Sequence, residues 1–252
     1  MIAIGVSLKM YFGYEETLEW CRAVREIALR HPAVARGLVE LFVIPAYPVL
    51  SRVKEVFDGT AIGLGAQDLY WQDAGAFTGE VSGAMLAEVG CRYVEVGHAE
   101  RRAMFGDTDD VVARKVAAAL RNELVPIICI GETEPGPSDQ ALETCIGQLR
   151  SALSCWPKPA SGQRVIVAYE PISAIGAPEP APSDHIGAVC SGLKEDLSSR
   201  LDLVSTTIYG GSAGPGLLLG LRGRIDGLFL GRSVHDPDGL GAVLTEVLAL
   251  AE

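Results

Sequence analysis

Three residues whose side chains can act on protons and charge stand at the ends of β-rich stretches of the sequence. Lys9 closes the first stretch, in GVSLKM, His98 follows VEVG, and Glu170 follows the uncharged run Val165–Tyr169. Pro171 cannot donate a hydrogen bond to a neighbouring strand, so the strand must end there. A lysine, a histidine and a glutamate gathered at one place could supply a cation, an electrophile and a base.

Glycines follow two further β-rich stretches. Residues 210–212 are Gly-Gly-Ser after one stretch, and residues 231–232 are Gly-Arg after another. Glycine leaves backbone N–H groups uncovered, and such groups beside a helix N-terminus form a cradle for phosphate. Taken singly, a glycine pair indicates a tight turn, a lysine a solvated surface residue and a carboxylate a solvated loop. Five such features at matching strand ends favour one shared site.

The loop after Glu170 has the composition of a lid. Ile172–Pro182 contains Gly176 and three prolines before Ser183 can cap a helix. A segment that moves between stiff ends is one interpretation, and an ordinary surface loop is the other.

These residues must be positioned by a chain in which β-rich runs and helical stretches alternate. The connections are long enough for parallel pairing, and no linker divides the chain. An open doubly wound sheet fits the same alternation, but the GxGxxG fingerprint is absent after the first strand. We therefore expect an α/β protein forming a single-domain (β/α)8 barrel over residues 1–252. The expected strands are Ile2–Lys9, Leu41–Pro45, Ala61–Gln67, Arg92–Gly97, Val125–Gly131, Val165–Tyr169, Ser205–Tyr209 and Asp226–Leu230. The expected helices lie in Glu15–Leu29, Val49–Val56, Ser82–Val89, Thr108–Leu120, Asp139–Leu153, Ser183–Leu197, Gly216–Leu221 and Ala242–Leu250.

The composition of the chain limits which binding partners and which cellular compartment we expect. The net charge of −11 argues against nucleic acid or an anionic membrane as partner, but local N–H groups can still bind a small anion. Six scattered cysteines without CxxC indicate reduced thiols, and no signal pattern or long apolar run is present. We expect a soluble, cytoplasmic protein. The four histidines form no pair at metal-ligand spacing, so we expect no metal site.

Several segments in order carry a resemblance to a known family. They are GAQDLY, GAFTGEVS, VEVGHAERR, CIGET, AYEP with AIG, and YGGS. On these segments the chain resembles the triosephosphate isomerase family over its whole length. The resemblance implies that Glu170 is the general base, His98 a neutral electrophile and Lys9 the substrate-anchoring cation. It also implies supporting positions at Glu100 and Cys129, and phosphate donors at Gly176, Ser212, Gly231 and Arg232.

The same resemblance implies a mechanism and an assembly. The base removes a proton next to a carbonyl, the histidine and lysine stabilise the enediolate, and lid closure keeps water out. No cofactor takes part. The protruding loop Gly75–Glu80, with Phe77 and Thr78, docks beside the active site of a second copy, so a homodimer is expected.

The chain departs from the family pattern around the reacting carbon. It has Ser7 where the family has Asn, Ala99 for Ser and Ser173 for Trp, a changed lid tip at residues 177–179, and Arg232 for Gly. The segments GVSLKMYFG, EPISAIG and FLGRSVHD resemble the branch that isomerises erythrulose phosphates. We expect the freed space to accept one hydroxymethyl group more, converting L-erythrulose 1-phosphate to D-erythrulose 4-phosphate. The alternatives are drift in an authentic triosephosphate isomerase, and a non-catalytic metabolite-binding relative.

Overall fold

Eight parallel strands close into a barrel in chain order, which confirms the predicted fold class. The computed structural model describes residues 1–156, 162–200 and 204–251. Strand β1 pairs with both β2 and β8, with Val6 opposite Val43 on one side and Leu230 on the other, and so completes the ring. The strands are β1 Ile2–Ser7, β2 Val39–Ile44, β3 Gly63–Ala66, β4 Tyr93–Val96, β5 Val125–Ile130, β6 Arg164–Tyr169, β7 Val204–Tyr209 and β8 Gly227–Leu230.

Helices follow the strands around the outside of the barrel. In the described ranges they are α1 Tyr14–Arg30, α2 Pro32–Ala35, α3 Leu50–Phe57, α4 Gly83–Val89, α5 Ala99–Phe105, α6 Asp109–Arg121, α7 Ser138–Ala152, α8 Ser183–Arg200, α9 Leu217–Gly220 and α10 Pro237–Leu250. Helices α2 and α5 were not predicted from the sequence. With four residues in α2 and seven in α5, both are too short to show a helical period.

The core has two layers, one between strands and helices and one inside the barrel. A side chain at Gly5 would place its Cβ 2.3 Å from the ring of Phe42 and 2.9 Å from Phe229. Glycine at this position therefore lets the two rings fill the barrel interior. The inner layer consists of Ala3, Phe42, Ile44, Tyr93, Val125, Ile127, Cys129, Ile166, Ala168, Ile208 and Phe229.

Strands β1 and β3 are shorter than expected from the sequence. Strand β1 ends at Ser7 rather than Lys9, because Lys9 has a φ of 48° and leaves the extended conformation. Strand β3 begins at Gly63 rather than Ala61.

Across the described ranges, no helix is both long and apolar enough to cross a membrane, and no cluster of three metal-ligating side chains is found.

Candidate active site

A cavity of about 510 Å³ opens at the carboxyl ends of the strands, where barrel enzymes place their catalytic groups. It brings together side chains from the first to the last strand of the chain. Of the residues expected from sequence, Ser7, Lys9, His98, Glu100, Glu170, Gly176, Ser212, Gly231 and Arg232 line it.

Lys9 is held in an unusual backbone conformation at the cavity wall. Its φ of 48° is left-handed, and its carbonyl accepts a hydrogen bond of 2.7 Å from Gln67 Nε2. Its Nζ donates to Glu100 Oε1 at 2.7 Å. Burial lowers the pKa of Lys9, but this hydrogen bond and the surrounding carboxylates outweigh burial, so the net shift is upward. The ammonium therefore stays charged.

His98 lies two residues after β4 and caps α5, so its imidazole is fixed by backbone geometry. Nδ1 accepts a hydrogen bond of 3.1 Å from the Glu100 N–H, which places the ring proton on Nε2, 3.3 Å from Glu170 Oε2. Burial lowers the pKa of His98, whereas Glu170 and Glu95 raise it to a net value of about 9. The hydrogen bond at Nδ1 acts against protonation, because imidazolium has no acceptor there. We assign the neutral ring on this contact.

Glu170 is a buried carboxylate with one oxygen unused. The residue is 6% exposed, and Oε1 has no hydrogen-bond partner among the described residues. A Cβ on Gly210 would lie 2.7 Å from Glu170 Cγ and 2.8 Å from Oε1. Gly210 thus leaves the space that the carboxylate occupies. An unpaired carboxylate oxygen at the cavity is suited to accept a proton.

The glycine-rich rim is joined to the lid by two side chains. Ser212 has a φ of 52°, and its Oγ lies 2.7 Å from Ala174 O and 2.8 Å from Ala177 O. Arg232 donates from Nη2 to Gly176 O at 3.0 Å. The segment after β8 is a single 3-10 turn, Arg232–Val234, rather than a longer helix.

Other expected residues lie outside the cavity wall. Cys129 is inside the barrel with Sγ 3.9 Å from Ile127 O, and burial raises the pKa of its thiol, so it packs beneath the site as a neutral group. Ser173 is exposed in a 3-10 turn whose buried residue is Ala174, and Ala99 is half-buried. Of the three substitutions expected to free space for the substrate, Ser7 lines the cavity, whereas Ser173 and Ala99 do not.

The sequence analysis did not single out Glu95, which also lines the cavity. It lies on β4, is 4% exposed, and accepts a hydrogen bond of 2.9 Å from Ser7 Oγ. Burial raises its pKa to about 7; Glu170 adds to this shift, while the Lys9 ammonium opposes it. A charged residue inside the apolar run YVEV was the available signal, and alternation along the strand directs it inward beside Tyr93.

The expected dimer loop projects from the barrel on an anchored base. Arg121, the last residue of α6, and Asn122, which caps that helix, donate hydrogen bonds of 2.8 to 3.0 Å to Asp73. Phe77 is 38% exposed and packs against Tyr70 at 4.6 Å between ring centroids, and Thr78 is exposed.

The site combines a carboxylate base in contact with a fixed imidazole, a nearby ammonium and a rim of backbone N–H donors. These features are typical of a barrel enzyme that catalyses proton transfer. The family model described as triosephosphate isomerase matches residues 2–247. The chain belongs to the triosephosphate isomerase family, and it is an isomerase of the intramolecular oxidoreductase class, which includes the aldose–ketose isomerases.

Individual relatives divide between two activities. An L-erythrulose-1-phosphate isomerase of Pectobacterium atrosepticum is 51% identical, with 99% of this chain and 97% of that protein covered. An L-erythrulose-1-phosphate isomerase of Rhizobium etli is 39% identical, with 99% of this chain and 93% of that protein covered. A triosephosphate isomerase of Moorella thermoacetica is 37% identical over 86% and 90%. The crystal structure of triosephosphate isomerase from Bartonella henselae superposes with a TM-score of 0.81 at 28% identity, covering 98% and 99%.

Proposed function

We propose that the protein converts L-erythrulose 1-phosphate to D-erythrulose 4-phosphate through an enediolate. The observation that carries the proposal is its 51% identity, over nearly the whole length of both chains, to a relative named for that substrate. Ser7 supports it, because a short side chain at the buried end of the cavity leaves room beyond the reacting carbon. The cavity of about 510 Å³ is ample for a sugar phosphate.

The positions of the groups around the cavity support the following roles. Backbone N–H groups of Gly176, Ser212 and Gly231, with the Arg232 guanidinium, bind the phosphate. Glu170 takes the proton from C3 of L-erythrulose 1-phosphate, and Lys9 stabilises the negative charge on the enediolate oxygens.

His98, neutral and carrying its proton on Nε2, donates to the same oxygens and passes protons between them. The proton then returns to C2, so that the carbonyl has moved from C2 to C3. Numbered from the other end, this product is D-erythrulose 4-phosphate. Dihydroxyacetone phosphate has its carbonyl at the same distance from phosphate, so the same groups serve either substrate.

The protein also functions, in this proposal, as a cytoplasmic homodimer. The free thiols, five of them buried, suit a reducing compartment. The exposed Phe77 at the tip of an anchored loop suits insertion into a second copy, with Thr78 beside the partner's site.

The decisive experiment compares kcat/KM for L-erythrulose 1-phosphate and dihydroxyacetone phosphate with the same enzyme. We expect a preference for the four-carbon substrate of about tenfold or more, which requires only ~1.4 kcal/mol of differential transition-state binding. A clear preference for the triose would identify an authentic triosephosphate isomerase. Absence of turnover on both would identify a non-catalytic binding protein.

A further inference from the structure

Glu95 has hydrogen-bonding capacity that the protein itself does not use. Ser7 Oγ donates to Oε2 at 2.9 Å, and among the described residues no hydrogen bond to Oε1 is found. The two nearest side chains that could bind it are engaged elsewhere, since the Lys9 ammonium lies 2.7 Å from Glu100 Oε1 and the neutral His98 ring directs Nε2 at Glu170. The buried carboxyl of Glu95 therefore lines the cavity with one oxygen, Oε1, that can still accept a hydrogen bond.

Packing alone does not account for a carboxyl at this position. Its register partner on β5 is Ile127, and the neighbouring inward residues Tyr93 and Cys129 are uncharged. Burying a carboxyl without an ionic partner costs free energy that an apolar side chain would avoid. A group retained at such a cost and lining the cavity points to a ligand.

The order of groups along the strands gives the ligand's orientation. Ser7 precedes Lys9 by two residues and Glu95 precedes His98 by three, so both lie deeper in the barrel than the reacting groups, at ~3.3 Å per residue. Gly176 and Arg232 are exposed at the rim. A sugar with its phosphate at the rim and its reacting carbon at His98 directs its far end toward Ser7 and Glu95.

We propose, building on the proposed function, that Glu95 with Ser7 binds the terminal hydroxymethyl group of the four-carbon substrate and determines the preference over the triose. The hydroxyl donates to Glu95, satisfying the oxygen that the protein leaves unpartnered. A triose phosphate has no hydroxyl there, so Glu95 Oε1 gains no hydrogen bond from the substrate when the triose binds. Sites built to hydrogen-bond a substrate hydroxyl discriminate against analogues that lack it for this reason.

The test uses the full-length enzyme with Glu95→Gln and Glu95→Leu, assayed on both substrates. We expect the ratio of kcat/KM for L-erythrulose 1-phosphate to kcat/KM for dihydroxyacetone phosphate to fall about tenfold or more in Glu95→Leu, and less in Glu95→Gln. The influence of the Glu95 charge on His98 is common to both substrates and cancels in this ratio. Glu246→Gln is a matched control: it changes a buried glutamate outside the cavity and is expected to keep the wild-type ratio.

Competitive inhibition gives a readout without chemistry. Erythritol phosphate, compared with glycerol 3-phosphate, should lose affinity selectively in Glu95→Leu. Equal losses on both substrates would show a structural or general catalytic role and overturn the inference, as would an unchanged ratio. The wild-type ratio reports on the proposed function, whereas the change between wild type and the Glu95 variants reports on this inference, so either can fail alone.

Discussion

Arg232 donates a hydrogen bond of 3.0 Å from Nη2 to the carbonyl oxygen of Gly176, and so joins the turn after β8 to the lid. Both residues line the cavity. One guanidinium nitrogen of Arg232 thus donates to the lid, and the other N–H groups of the guanidinium are available to donate to a phosphate oxygen. With the phosphate-binding role proposed for Arg232, this contact would couple the position of the lid to the binding of phosphate.

Replacing Arg232 by alanine should raise KM about tenfold with a smaller effect on kcat, because the phosphate loses a charged donor and the lid loses a contact. Arg232→Lys should fall between the two, since it keeps the charge without the fork. Steady-state kinetics at fixed ionic strength measures the effect. Arg222→Ala removes an exposed arginine outside the cavity and serves as the control. Equal KM values for wild type and Arg232→Ala would contradict the assignment.

Glu170→Gln should keep the fold and lower kcat by about 10³-fold or more, because the amide has nearly the same shape but cannot accept the substrate proton. Glu170→Asp keeps a base but withdraws it by one methylene, so its loss should be smaller. Turnover of purified variants, with circular dichroism as a check on folding, gives the comparison. Near-normal turnover of Glu170→Gln would remove this residue from the role of base.

The buried Glu95 should make stability depend on pH. Its pKa is about 7 in the folded protein against an ordinary 4.5, mainly through burial, with Glu170 raising it and Lys9 lowering it. Below the ordinary value the group is protonated in both states and has no effect. As pH rises toward 7, only the unfolded chain releases the proton, so folding becomes less favourable.

Glu95→Gln removes this penalty and should therefore raise Tm more at pH 8 than at pH 5, by about 5 °C at the higher pH. Thermal unfolding of wild type and variant at the two pH values measures the difference. A larger gain at pH 5, or a lower Tm for the variant at pH 8, would contradict the expected sign.

The sequence predicts the barrel well because alternation of strands and helices leaves few topologies. Its limits are seen at Glu95, whose neighbour Ser7 is 88 residues away, and at Ser173, whose orientation depends on the turn in which it lies. The contact between His98 and Glu170 follows from barrel closure once the strand ends are located. Residues whose role depends on neighbours far away in the sequence can be identified only from the structure. Residues at strand ends can be predicted from the alternation of strands and helices.

Association should depend on the loop that carries Phe77. Its tip is exposed while Arg121 fixes its base, so the aromatic ring can enter a partner without the loop first becoming ordered. Light scattering at micromolar concentration should give twice the 26.6 kDa of one chain. A monomer with full activity would contradict both the assembly and the placement of Thr78 beside the partner's site.

Phe77→Asp should shift the protein toward monomer and lower kcat, because a carboxylate replaces the ring that would be buried on association and Thr78 then loses its place beside the partner's catalytic groups. Leu219→Asp is the matched control, since it introduces the same charge at another exposed apolar residue, on α9 and away from the loop. We expect that control to stay dimeric and active. If Phe77→Asp and Leu219→Asp have the same mass and the same kcat, the loop is not the interface. If Phe77→Asp is monomeric yet fully active, the loop holds the dimer together but contributes nothing to the partner's active site.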